Sequence, residues 1–378
     1  MKRVFIVVFV ILLIGILNYT YVKADTKDEL SGGISVEDFD LSEGSNVLRR
    51  NGYDEINIKE IMHGIMNGNI SDTFSYVGKI IYNRTIGDVN LVKKSIINLV
   101  LIMILSAFFT NFARVFSKDN VSETGFFICY LLAITIMVTL FENFCLITID
   151  FVKLLMEFLY GIVPAYFLSV AIVGQASAVG FYQLVLVIIA VTEFIFLNIV
   201  IPLIKIYVAI SLVNNISRED FLSKASDVIK NVIGFINKFM LATVTGINII
   251  QGLILPAVDG VKNTTIRKFM GALPVIGDGT EAMAGIMLGS VNLIKNTIGG
   301  LTIIIILVIC VIPFIKIQLY SLGVQIAMAV VQPIADKRII DSLSCICDGT
   351  KLLARLIISA AILFIISIAI ICMVTGKG

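Results

Sequence analysis

The sequence predicts an all-α fold, a polytopic helical membrane protein with a small helical segment outside the bilayer. Hydrophobic residues make up 58% of the 378 residues and charged ones only 15%, well away from soluble usage. The mean hydropathy is +0.99, and apolar stretches long enough to cross about 30 Å of hydrocarbon recur along the chain. A net charge of +2, with no basic block interleaved with aromatics, argues against nucleic acid as a partner. The partners implied are the lipid bilayer and other membrane components.

The chain opens as a processing signal. Lys2 and Arg3 precede the apolar stretch Val4 to Leu17, and small residues in "VKA" place a cleavage after Ala24, so that 1–24 is removed. An uncleaved first span is the alternative. Cleavage leaves the mature N-terminus on the extracytoplasmic side. Residues 25–60 then hold ten acidic side chains against four basic ones, a solvated composition, and the acidic segment extends over 25–94. Inside it, Asn57 and Glu60 have the spacing of a capping box ahead of Ile58, Ile61, Met62 and Ile65, which share one helix face. That face is a candidate docking surface, carried by Ile58, Ile61 and Ile65, for a membrane surface or a partner. Packing inside a small helical domain is the other reading.

Spanning stretches are expected near 96–113, 125–148, 181–203, 239–257, 298–315 and 356–374, the first two forming a unit over 95–149. Two weaker stretches, 158–173 and 318–334, raise the range to six to eight membrane segments. An extracytoplasmic start puts Arg114 and Lys118 on the cytoplasmic side after the first span, as the positive-inside tendency favours. Residues 221–240 alternate apolar and charged positions at helical spacing and read as interfacial; 336–352 are a weaker case.

An internal duplication is written in the prolines. "GIVP" (161–164) precedes "VIPLIKI" (200–206), and "GALP" (271–274) precedes "VIPFIKI" (311–317). Four of the chain's six prolines, Pro164, Pro202, Pro274 and Pro313, thus fall at equivalent places in two units, 150–257 and 261–375. Such units in membranes often pack about a pseudo-two-fold axis, with broken helices lining a pathway. A proline inside a helix frees a carbonyl one turn earlier, and Lys205 and Lys316, three residues on, either snorkel to the headgroups or turn into a polar cavity.

Catalysis has little support. His63 is the only histidine, phosphate-binding and dinucleotide-binding loops are missing, and the six cysteines lack metal-finger spacing, so no cofactor or metal is expected. The sharper clue is Glu193, mid-span in "VTEFIF", where a charge costs about 2.5–3.5 kcal/mol on the mildest insertion scale. A proton-coupled transporter could use Glu193 with Lys205 or Lys316; a buried structural pair is the plainer account. Glu142, Asp150, Lys153 and Glu157 lie nearer span ends. Glu193 and Lys205, about 18 Å apart on an ideal helix, cannot pair without a break.

The run "QGLILPAVDGVKNTTIRKFMGALPVIGDGTEAMAGIMLGSVNLIKNTIGG" (251–300), with the signal sequence and the "IKI" segment, resembles the stage III sporulation protein AE family of endospore-forming bacteria. Gln251-Gly252, Asp259-Gly260, Lys268, Pro274-Val275, Gly277 and Lys295-Asn296 carry the resemblance, which covers nearly the whole mature chain. It implies a multi-pass protein of the mother-cell membrane around the forespore. Its partners would be a separate ATPase, ring-forming proteins and a forespore membrane protein, in a transenvelope channel that sustains late forespore gene expression. On that reading Gly271, Pro274 and Gly277 join Glu193, Pro202, Lys205, Pro313 and Lys316 as candidate pathway or kink residues. A secondary transporter of a small solute and a scaffold that only anchors the complex are the alternatives, and the chain could form an oligomer.

Overall fold

The computed structural model describes residues 40–69, 71–85, scattered positions of 97–108, 119–172, 178–216, 221–270 and 279–375. Every regular element among them is helical. Two short helices come first, α1 (Ser42–Arg50) and α2 (Ile58–Met66), followed by a helical stretch at 71–85. The long helices are α3 (Asp119–Ile172), α4 (Ala178–Ile195), α5 (Ile201–Asn214), α6 (Ser223–Met270), α7 (Gly279–Val331) and α8 (Lys337–Thr375).

Both short helices stop by the same device. Gly52 and Gly68 adopt φ of 74° and 70°, a left-handed conformation that glycine enters without a Cβ clash. Tyr53 N–H donates to Leu48 O and Gly52 N–H to Arg49 O; Asn69 N–H donates to Gly64 O and Gly68 N–H to Ile65 O. These are paired Schellman closures. The expected capping box at α2 is half realised: Asn57 Oδ1 accepts from Lys59 and Glu60 N–H, at 3.1 and 3.4 Å. The Asn57 N–H, which Glu60 was expected to hold, donates instead to the Tyr76 hydroxyl at 3.1 Å. Asn57→Ala should therefore destabilise α2 by about 0.5–2 kcal/mol, read as faster hydrogen exchange at the Lys59 and Glu60 amides. Unchanged exchange would mean that α2 is held by its packing alone.

Five spans among the described residues are long and apolar enough to cross a membrane: 130–169, 182–214, 223–251, 295–331 and 337–372. The expected span at 96–113 falls mostly outside the described residues. The weaker stretches are not separate segments: 158–173 is the end of α3, and 318–334 is largely the end of α7. Likewise 221–240 continues into α6 and 336–352 into α8, so neither lies as a separate interfacial helix. Charged residues end a lipid-compatible window, but they leave the backbone hydrogen-bond ladder intact. At 1.5 Å per residue α3 is about 80 Å long, far more than a bilayer, and the long helices project beyond it.

Side-chain pairings fix the directions. α3 and α8 run parallel, with Tyr130 at Ser342 (2.7 Å), Phe141 at Gly349 and Tyr166 at Cys372 (3.2 Å). α7 runs opposite to them, Phe144 meeting Tyr320 and Tyr166 meeting Gly299. α6 is parallel to α8 through Lys230–Asp348, Asn237–Ser359 and Asn248–Ser367. Helix α8 is the hub, packed on α3, α5, α6 and α7. α1 and α2 sit at the far end of α3: Gly44 lies near Phe158 and Ile162, and Ile65 reaches toward Gly300. α3 runs through residue 150 and α6 through 257–261, so the first unit begins, and the two units meet, inside a helix, while the second ends with α8 at Thr375.

A stripe of ionisable side chains as candidate functional site

From Leu146 to Leu168 every exposed position of α3 lies on one stripe: Leu146, Asp150, Lys153, Glu157, Tyr160, Pro164 and Leu168. The spacing of three and four residues is that of one helix face. All other sides of the helix are packed against neighbours. Extended one turn earlier, the stripe includes Glu142, so it holds every aspartate, glutamate and lysine of α3 between 130 and 169.

The depth of the stripe follows from register. With Phe141 beside Gly349 and Tyr166 beside Cys372, residues 150–157 lie alongside roughly 356–365 of α8. That part of α8 belongs to its charge-free window, which begins after Arg355. Three ionisable groups therefore sit at a level where a neighbouring helix carries no charge. Facing lipid, each would cost about 2.5–3.5 kcal/mol.

Glu142 and Glu157, at either end of the charged part of the stripe, each have a partner on another helix. Lys205 Nζ donates to Glu142 Oε1 at 2.6 Å, and Asn51 Nδ2 at the end of α1 donates to Glu157 Oε2 at 3.3 Å. Both side chains of the Lys205–Glu142 pair remain part exposed. Asp150 and Lys153 between them make no hydrogen bond or ion pair among the described residues. Glu193, half-buried on α4, is within electrostatic range of Tyr160 on the stripe. Glu193 and Lys205 thus belong to one track through α3 and do not pair with each other.

The Pro-Lys motifs differ between the units. Residues Phe196–Val200 form a π-turn in which Ile201 N–H reaches Phe196 O, and Pro202 follows in the first turn of α5. The wide turn absorbs the missing proline N–H, and such turns are frequent at functional sites. Pro313 is buried inside the unbroken α7, with Lys316 half-buried beyond it, so the expected common break is realised in one copy. Gly271, Pro274 and Gly277 lie outside the described residues.

The docking expectation for α2 needs correcting. Ile58 and Ile61 are buried, and Ile65 packs on the core toward α7, so this face is covered by the chain itself. Four apolar residues on one face are as well suited to a core as to a partner. Sequence reasoning missed the α6–α8 seam, where Asn237 and Asn248 pair with Ser359 and Ser367 at 2.8 and 2.6 Å. Asparagine at helical spacing inside an apolar window was the available signal. The buried Asn237 Oδ1, Asn248 Oδ1 and Gln251 Nε2 have no hydrogen-bond partner among the described residues.

His63 is exposed on α2, and among the described residues no group of three or more histidine, cysteine or carboxylate side chains could hold a metal. No solved structure matches the chain. A curated relative, stage III sporulation protein AE of Bacillus subtilis (strain 168), is 23% identical over 276 residues, covering 72% of this chain and 69% of the relative. The family model for stage III sporulation protein AE matches residues 56–375, from the start of α2 to the end of α8. The chain is therefore a multi-pass membrane protein of the stage III sporulation protein AE family.

Proposed function

We propose that this chain is the integral membrane subunit of a transenvelope channel between mother cell and forespore, with the ionisable stripe of α3 facing its passage. The observation that carries the reading is that Asp150 and Lys153, which make no hydrogen bond or ion pair among the described residues, lie at the level of the charge-free window of α8, which calls for water or a polar partner. In this role the protein is non-enzymatic. A separate ATPase supplies energy, and ring-forming proteins and a forespore membrane protein meet the complex in the intermembrane space.

Topology supports the assignment of sides. The positive-inside tendency puts the start of α3 in the mother-cell cytoplasm, and the far end of α3 then faces the intermembrane space. α1 and α2 pack at that far end, the side to which the expected signal sequence delivers them. The first turns of α6 and α8, at the other end, carry Lys224, Lys337 and Arg338 beside Asp227, Asp336 and Asp341, a mixed charge that does not decide the side. The two units contribute two helix hairpins, α5–α6 and α7–α8, the second of which contains the hub α8.

Single cysteines at Asp150, Lys153 and Glu157, in a chain freed of its own cysteines, should react with a membrane-impermeant thiol reagent in sporulating cells. Cysteine at the buried Leu155 should not. Protection of all three stripe positions would remove the passage and favour the scaffold. The π-turn beside Glu193 favours one other reading, solute transport by this chain alone. In that case Glu193→Gln abolishes forespore support while the complex still assembles; the channel reading expects it to retain support.

A further inference from the structure

The face of α6 turned away from α8 is a second feature that the stripe does not explain. Val228, Val232, Phe235, Phe239, Ala242, Gly246 and Ile249 recur at alternating steps of four and three, the 3.5-residue repeat of a helix-pairing seam. All but Gly246 are exposed, Phe235 at 67%, and a Cβ on Gly246 would meet nothing within 4 Å. The seam is about 32 Å long.

Lipid covers only part of it. The Lys230–Asp348 and Asn237–Ser359 pairings place Val228 and Val232 beside the charged half of α8, before its apolar window, and Phe235 at the border of the two. Exposed valines at that level need a protein surface. Further along, Ala242 and Gly246 are spaced as small residues that let two membrane helices approach closely. The two halves carry different chemistry at different depths, yet they continue one repeat.

We propose that this seam joins two copies of the chain through a parallel α6–α6 pair. Copies in one membrane share an orientation, so a two-fold axis along the membrane normal sets each seam position against its own equivalent. The flanking charges agree with that geometry. Lys224 and Lys238 border the seam on one side, and in a parallel pair they face Ile229 and Thr243 of the second copy. An antiparallel pair that kept the whole seam in register would centre near residue 238 and bring Lys238 onto its own equivalent, like charge on like. The opposite edge of α6 is already held by Asp348, Ser359 and Ser367, so pairing leaves the intramolecular seam untouched.

Cross-linking in membranes that contain no other sporulation protein tests the pair independently of the channel role. In the cysteine-free chain, Val228→Cys and Phe235→Cys should yield a covalent dimer with a short thiol cross-linker, and the exposed but off-seam Asp227→Cys should not. Gly246→Leu combined with Phe235→Cys should lower the dimer yield severalfold at unchanged protein level. Equal yields at all three positions, or no dimer at either seam position, would overturn the proposal. So would intramolecular linkage of the seam to a second cysteine placed in 97–108, which would mean that the chain's own first apolar stretch covers it.

Discussion

Gly349→Leu is expected to leave little folded protein in the membrane. Gly349 lies where α8 crosses α5 and α3, and a Cβ there falls inside contact distance of Val208 Cγ2 and 2.8 Å from the Phe141 ring. A single methyl group in such a site costs about 1–3 kcal/mol by overpacking, and a leucine must part the helices. That is a large share of the 5–15 kcal/mol that typically holds a folded domain. The check is the midpoint of thermal aggregation in detergent for Gly349→Ala and Gly349→Leu, with Val208→Ala as the second arm of a cycle. Partial rescue of Gly349→Ala by Val208→Ala identifies the crossing as the cause. Wild-type behaviour of Gly349→Leu would show that the three helices do not meet there.

Gly349 also illustrates what the sequence left unread. Nothing in "SCICDGTKLL" distinguishes a glycine at a helix crossing from one that ends a helix, because its neighbours there come from residues 141 and 208. The same holds for Glu142 and Lys205, 63 residues apart and joined only by the packing of α3 on α5. Local chemistry was legible: the Asn57 cap and the spanning windows after 113 each follow from residue type and spacing. The number of helices was not, since hydropathy reports where a chain tolerates lipid and a helix continues wherever its backbone bonds do. Hence 125–148 and 158–173 merged into α3 with Pro164 inside. The ionisable stripe needed both kinds of information. Its 3–4 spacing stood in the sequence, but only the register with α8 gave it a depth.

Removing the stripe's charges should separate stability from function, with opposite signs for opposite environments. If Asp150, Lys153 and Glu157 faced lipid, replacing them by leucine would relieve a cost of about 2.5–3.5 kcal/mol per charge and raise stability. Forespore support would then persist. If they face water, the triple leucine variant gains nothing from lipid and turns a polar wall apolar, and narrow apolar constrictions close to water and ions. The expected result is normal membrane abundance, no gain in thermal midpoint, and late forespore gene expression reduced about tenfold or more, as for loss of conduction. Asp150→Asn with Glu157→Gln keeps the wall polar, and it should retain much of the support that leucine destroys. Glu157 alone should also loosen α1, because Asn51 Nδ2 loses the carboxylate it binds at 3.3 Å. A variant with three leucines that is both more stable and fully functional would place the stripe against lipid and end its candidacy as a passage.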